Sequence, residues 1–273
     1  TPLTNWRIPG PELKFEERWM PPTHVETPDA PAKDMSITVG WNTAQSYGIT
    51  REEMDAWAVR SHHRAIAAMD AGKFADEIVP LKITQIDGSV VDFSVDEQPR
   101  RDTTVEKLAG LKVLHPEIEG FSITAGNASG TNDAAAGVAV VERDYAAANG
   151  LNVMATVRAW GAAGVPPRDT GLGAVKVIGK VLDRAGLTPS DIALWEINEA
   201  FASVPIAACK EYGLDEELVN FSGSGCSLGH PIAASGARMV TTLVYELQRR
   251  GGGIGMAAMC AGGGQGGAVI VEV

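Results

Sequence analysis

Cysteine is scarce in this chain: three in 273 residues, at positions 209, 226 and 260. An odd number so widely spaced builds neither a disulfide framework nor a zinc site. A reducing compartment, the cytoplasm, is therefore expected, with no metal and no tightly bound cofactor. Uninterrupted apolar runs are short as well. None reaches the roughly eighteen residues that a membrane span requires, and no leader pattern is visible at the start. Positive charge is in deficit: 23 Lys and Arg stand against 34 Asp and Glu, a formal net charge of −11. That balance argues against nucleic acid as the main partner. A small anionic ligand stays compatible with it, because a few arginines can hold phosphates locally. Apolar residues, by contrast, are plentiful at 45%, enough for one large core or two modest ones. The first residue is Thr1 rather than Met, which suggests processing, a fragment or renumbering.

Two textures divide the chain, 1–120 and 121–273. Residues 1–34 carry seven prolines, from Pro2 to Pro31, which preclude a long helix and read as an extended segment. Thr50-Arg51-Glu52-Glu53 is a capping-box start, and the helix it opens passes through Trp57, Val59, Ala65 and Met69 to stop near Gly72. Residues 78–84 and 90–95 read as a hairpin about Gly88, and 100–120 as loop. From Phe121 onward Gly and Ala dominate, and short apolar strands alternate with helical patterns. Strands are expected at Ala134–Val141 (buried), Asn152–Ala159, Ile192–Ile197, Leu218–Phe221, Gly255–Cys260 and Ala268–Val273. Helices are expected at Arg143–Ala148, Ala174–Ala185, Glu199–Tyr212 and Pro231–Arg250. This alternation points to a layered α/β domain with a largely buried mixed sheet.

Three strand ends carry polar residues in unusual company. Asn198 follows the strand 192–197, where it is either an ordinary helix N-cap or a functional amide. His230 follows Gly229 and precedes Pro231, which suits a first helical position. The positive end of a helix dipole disfavours imidazolium, so a neutral His is plausible there; a capping His is the plainer alternative. Cys260 leads into Ala261-Gly262-Gly263-Gly264, whose successive N–H groups can form an anion-binding nest. A thiol beside such a nest could exchange protons, or could simply be a buried, inert Cys. Asn, His and Cys at the carboxyl ends of strands in one α/β domain lie where such folds bind ligands. The small polar stretch Thr124–Asp133 suits close approach of a ligand, or a tight turn.

Taken in order and spacing, Thr124–Gly130, Asn198–Ala202, Gly229–Arg238 and Cys260–Gly264 resemble the thiolase family. Thr50–Met69 and Glu77-Ile78-Val79-Pro80 are similar to that family's loop domain, so the likeness covers nearly all of 36–273. It implies the layered αβαβα fold, here a C-terminal half plus loop domain, and acyl transfer between coenzyme A thioesters through an acyl-cysteine. By the same resemblance, Asn198 would hold a water at a first oxyanion hole, and His230 would join that hole and activate the nucleophile. Cys260 would be the general acid/base for the α-proton, and the Gly262 N–H would serve a second oxyanion hole. Coenzyme A would meet Ser129 and Ala125 along its pantetheine arm, with Arg100 or Arg101 near its adenine and phosphates.

The departures from the family pattern are as informative as the matches. None of Cys209, Cys226 and Cys260 matches the family's nucleophilic Cys motif, so that residue is expected on a partner, an N-terminal half supplied as a separate chain or a cleaved segment. An oligomer, homomeric or heteromeric, is expected accordingly. The Pro-rich start lacks a match to the family's substrate-covering loop, and Cys226 stands where many relatives have an aliphatic residue. Two other readings compete. One is a non-catalytic thiolase-like scaffold, against which the joint presence of Asn198, His230 and Cys260 weighs. The other is an N-terminal nucleophile hydrolase using Thr1, against which the Pro-rich extension weighs.

Overall fold

The structure is a computed structural model and describes residues 24–273. Thr1 and most of the Pro-rich start lie outside the described residues. A π-helical turn, Ser36–Trp41, runs into α1 (Asn42–Tyr47), and α2 (Arg51–Asp70) follows. The capping box at Thr50 is formed in full: its side chain accepts from the Glu53 N–H, and the Glu53 carboxylate accepts from the Thr50 N–H. β1 (Leu81–Thr84) and β2 (Val90–Phe93) make the expected antiparallel hairpin. Residues 100–120 are not all loop, because Thr104 caps the short helix α3 (Val105–Ala109). α4 (Arg143–Ala148) then leads to the core sheet.

That sheet has the order β3-β6-β5-β4, from β3 (Thr156–Gly164), β4 (Leu194–Ile197), β5 (Ile254–Ala261) and β6 (Gln265–Glu272). β4 and β5 are parallel, and the other two pairings are antiparallel. Between these strands come α5 (Leu172–Ala185), α6 (Ser203–Tyr212), the single turn α7 (Gly225–Leu228) and α8 (Ser235–Arg249). Alternation along β4 shows how the layers form. Leu194 joins the core under α8 with Met239, Leu243 and Leu247, whereas Trp195 and Ile197 join the larger core with Val177, Ile178 and Val181 of α5. All four β4 residues are buried, although β4 is the last strand of the sheet, because helices cover both of its faces and the 218–221 segment covers its edge. The expected mixed α/β architecture is therefore present, with one core sheet between two helical layers.

Several expected elements differ, and each difference has a bonding reason. Ala134–Val141 is neither strand nor buried: Val138 is 47% exposed and Val140 76%. A strand stands only beside a neighbour that completes its ladder, and among the described residues none pairs with this one. The strand expected at Asn152 begins at Thr156. The helix expected from Glu199 begins at Ser203, because the intervening backbone bonds elsewhere. Ala200 O accepts from the Ser129 N–H at 2.9 Å, and the Ala202 N–H donates to Asn127 O at 2.9 Å. Pro231–Ala234 forms a bent turn ahead of α8.

Leu218–Phe221 makes only isolated bridges, yet it shields the edge of β4. Asn220 takes a left-handed conformation, φ 52°. Its side-chain amide copies a neighbouring strand, accepting from the Ile197 N–H and donating to Ile197 O, both at 2.8 Å. Replacing Asn220 by Ala leaves both Ile197 groups without these bonds and strains the backbone. Urea unfolding should show a loss of roughly 3 kcal/mol for Asn220→Ala. Asn220→Gly should lose about 1 kcal/mol less, because glycine takes positive φ freely. Equal losses would mean that φ at this position carries no cost.

Candidate active site

The carboxyl end of β4 is the centre of a polar cluster. Asn198, fully buried, follows Ile197 and continues the parallel ladder, its N–H donating to Ala258 O at 3.0 Å. Its side-chain Nδ2 lies 3.3 Å from His230 Nε2, so the residues expected from two separate motifs meet directly. His230 is held from two further sides. Its backbone N–H donates to Asn132 Oδ1 at 3.1 Å, and its Nδ1 lies 2.6 Å from Ser235 Oγ. Ser235 Oγ in turn donates to Pro231 O at 3.1 Å.

One proton arrangement satisfies all of these contacts. With the hydroxyl proton given to Pro231 O, Ser235 accepts from Nδ1–H. The Nε2 lone pair is then the acceptor that faces the Asn198 amide. Burial, helped by the Arg238 guanidinium, pushes the imidazole down to about 4. The ring is therefore neutral at pH 7, with Nε2 available as a base. Gly229 permits this geometry, because its φ is +83° and any Cβ there would strike the Asn132 side-chain amide.

Cys260 reaches the same end of the sheet along β5, the parallel neighbour of β4. Ile197 is registered with Ala258, so Cys260 lies two residues further toward the carboxyl ends. Its side chain is buried, and burial pushes the thiol up to about 12 against the opposing effect of a backbone hydrogen bond. Beyond it, Gly262–Gly264 turn the chain into β6. Gly264 holds φ +84° with its α-carbon packed on Val165 O. Gly262 is open on its outer face, where Met35 is the nearest neighbour. Gly262 O accepts from Gln265 Nε2 at 3.2 Å.

The residues expected along coenzyme A fall into two groups. Ser129 is half-buried, and its loop is pinned against the 198–202 turn by its N–H bond to Ala200 O, while Ala125 is exposed. Arg100 is exposed, and its backbone N–H donates to His62 Nδ1 on α2 at 3.0 Å. Arg101 points to Asp70 instead and makes a two-pronged ion pair at 2.8 and 2.5 Å. Asn198, His230 and Cys260 thus share one end of the sheet, Ser129 adjoins it, and Arg101 is committed elsewhere.

Sequence reasoning missed the groups that hold this site. Glu199, fully buried, accepts from Trp57 Nε1, Ser61 Oγ, Asn220 Nδ2 and the Cys226 N–H at 2.6–3.1 Å. Glu196, also fully buried, pairs with Arg238 at 2.8 Å. Burial pushes its carboxyl up to about 7 against the pull of that guanidinium. The available signal was two carboxylates flanking Asn198 within the buried run from Leu194 to Phe201. Cys226 packs within this knot, its Sγ 3.8 Å from both Asn127 O and Glu199 O.

Two family models align with the chain: the thiolase C-terminal domain at residues 151–273 and the thiolase N-terminal domain at residues 28–144. The chain belongs to the thiolase family. Both family domains are represented, so the expectation of an absent N-terminal half, supplied as a separate chain or a cleaved segment, is not supported. The loop-domain region and the start of the Gly- and Ala-rich stretch are what match it. An acetyl-CoA acetyltransferase of Pseudomonas aeruginosa is 46% identical over 85% of this chain and 58% of its own length. A 3-ketoacyl-CoA thiolase of Bacillus subtilis is 42% identical over 84% of this chain and 60% of its own. The crystal structure of the Bacillus anthracis acetyl-CoA acetyltransferase superposes with a TM-score of 0.79 at 44% identity, over 85% of this chain and 58% of that one. The human mitochondrial 3-ketoacyl-CoA thiolase in complex with CoA gives 0.76 at 36% identity, over 85% and 57%. The chain therefore spans about three fifths of the length of the relatives it matches.

The neutral state of His230 sets a sign for acid stability. Its imidazole titrates near 6.5 when unfolded and near 4 when folded, so between those values the unfolded chain binds more protons. The contribution is complete above pH 6.5 and is lost as pH falls toward 4. Glu196 acts oppositely, its contribution fading as pH rises toward about 7. Comparison with His230→Gln cancels that background. Between pH 7 and 4.5 the parent chain should lose roughly 2 kcal/mol more unfolding free energy than the variant. Equal losses would place His230 in water.

Proposed function

We propose that this chain supplies the acid/base half of a thiolase site, acting on coenzyme A thioesters with an acyl-accepting Cys contributed by polypeptide outside these residues. The observation that carries the reading is the Asn198–His230 contact at the end of β4, beside Cys260 on the parallel strand. Within the chain, Cys209 and Cys226 are buried thiols pushed up by that burial, the opposite of what an activated nucleophile needs. The exposed Val138, Val140, Val157 and Trp160 support a covering partner for this part of the fold. Three free thiols favour a reducing compartment such as the cytoplasm.

The proton states fit a balanced cycle. Neutral His230 takes the proton of the acyl-accepting thiol through Nε2, and the thiolate attacks the first thioester. The Cys260 thiol gives its proton to the departing coenzyme A. The Cys260 thiolate then takes the α-proton of the second acyl-CoA. The carbanion attacks the acyl-cysteine, a C–C bond forms as the C–S bond breaks, and the imidazolium returns its proton to the leaving thiolate. The imidazolium and the Gly262 N–H stabilise the developing oxyanions. Asn198 Oδ1, buried with no hydrogen-bond partner among the described residues, suits a water held at the first of them. Ser129 and Ala125 would flank the pantetheine arm, with Arg100 rather than Arg101 at the phosphates, because Arg101 is occupied by Asp70.

The steps separate by mutation in the assembled enzyme. Cys260→Ala should still allow a detectable acyl-enzyme while abolishing C–C bond formation. His230→Ala should suppress both, each loss being on the order of 10²–10⁴-fold. Mass spectrometry of the acyl-accepting chain reads the first step, and a coupled assay of 3-ketoacyl-CoA reads the second. Normal condensation by Cys260→Ala would remove Cys260 from the role.

A further inference from the structure

Arg238 is a charged side chain that the reaction cycle above does not use. It sits on α8 one turn beyond Ser235, on the same helical face. Its Nη1 donates to Glu196 Oε2 at 2.8 Å, and its Nη2 donates to Ser224 Oγ at 3.0 Å. Glu196 lies two residues before Asn198 on the same strand. Ser224 opens the loop that ends at His230, and Ser235 receives His230 Nδ1. One guanidinium thus ties together the three segments that carry Asn198, His230 and the partner of the His230 ring. We propose that Arg238 is a positioning residue for His230, bracing the loop that carries it and keeping a fixed positive charge beside its ring.

The surrounding charges make that cation most effective on the acid side. Around Arg238 stand Glu196 from β4, Glu77 from the segment after α2 and Asp96 from the segment after β2, and Glu199 lies further along the β4 end. Burial raises the pKa of Glu196, Glu77 and Asp96 in each case, with Arg238 pulling the other way. As pH falls these acids are neutralised early, whereas a guanidinium keeps its charge. The cation is then least compensated in the range where an imidazole would otherwise take a proton. Burial holds His230 neutral, and Arg238 adds to it, because protonating the ring would place two positive charges in one buried cluster.

Only the meaning of His230 rests on the proposed thiolase reaction; the geometry and the test do not. The test is an NMR titration of the ¹⁵N-histidine-labelled chain, with any partner it is isolated with. His230→Gln assigns the His230 signals among the five histidines. In the parent, His230 should be the neutral Nδ1–H tautomer and should titrate near 4. Arg238→Gln should raise that midpoint by about one unit. Arg238→Lys, which keeps the charge but not the two-pronged brace, should leave it low. The double variant Glu196→Gln/Arg238→Gln replaces the buried ion pair by two amides and guards against misfolding from an unpaired carboxyl; it should show the same rise. An unchanged midpoint in both Gln-containing variants, or an equal rise in Arg238→Lys, would overturn the proposal. Because no acyl transfer is read, these outcomes stay separate from the fate of the reaction cycle.

Discussion

A carboxylate taken out of water costs several kcal/mol unless its lone pairs are met by donors, and Glu199 has no exposed surface at all. Four donors meet it, and they come from separate parts of the chain. Trp57 and Ser61 belong to α2, Asn220 to the segment that shields the β4 edge, and the Cys226 N–H to α7. Moving any of these pieces leaves a buried charge short of a bond, a loss larger than the bond's own net value. Glu199 therefore fixes where α2 docks, how Asn220 meets Ile197, and where the loop toward His230 begins. Asn198 is its immediate neighbour, so its side-chain amide inherits that rigidity.

Strand direction does the rest of the positioning. Because β4 and β5 run parallel, both carboxyl ends fall on one side of the sheet, and Asn198 and Cys260 arrive there from separate stretches of sequence. Because β5 and β6 are antiparallel, the chain must reverse immediately after Cys260. The glycines at 262–264 make that reversal in three residues, and Gly264 is packed too closely on Val165 for any side chain. The same turn that closes the sheet follows the thiol directly in the chain.

The legible parts of the sequence were those governed by local chemistry. The capping box at Thr50, the hairpin about Gly88 and the apolar face of α5 each depend on a few neighbouring residues. So does the placement of Asn198 and Cys260 at strand ends, and each is present, whereas His230 follows the α7 turn because Leu218–Phe221 forms no strand. What was illegible depends on distant partners. Ala134–Val141 has the composition of a buried strand but no strand beside it among the described residues. Residues 199–202 have helical composition, yet their backbone bonds to the 124–130 loop. Arg101 looked equivalent to Arg100 until Asp70, far back on α2, claimed it.

Burial pushes the two proposed proton carriers in opposite directions and leaves both uncharged. His230 falls to about 4 and Cys260 rises to about 12, because a low-dielectric site disfavours imidazolium and thiolate alike. A neutral site suits thioesters, whose reacting carbonyl is itself uncharged and need not displace an ion's hydration. In the proposed cycle charge would develop only as protons move, with the N–H groups of the Gly262 turn as the dipoles proposed to meet it. Such groups are most effective where water is excluded and no reorganisation is needed. Near His230 the charge of Arg238 is held by a buried Glu196 that can itself be neutralised. Burial alone disfavours the imidazolium, and a neighbour whose charge does not fade at low pH adds to that effect; among the ionisable side chains arginine meets that condition most fully.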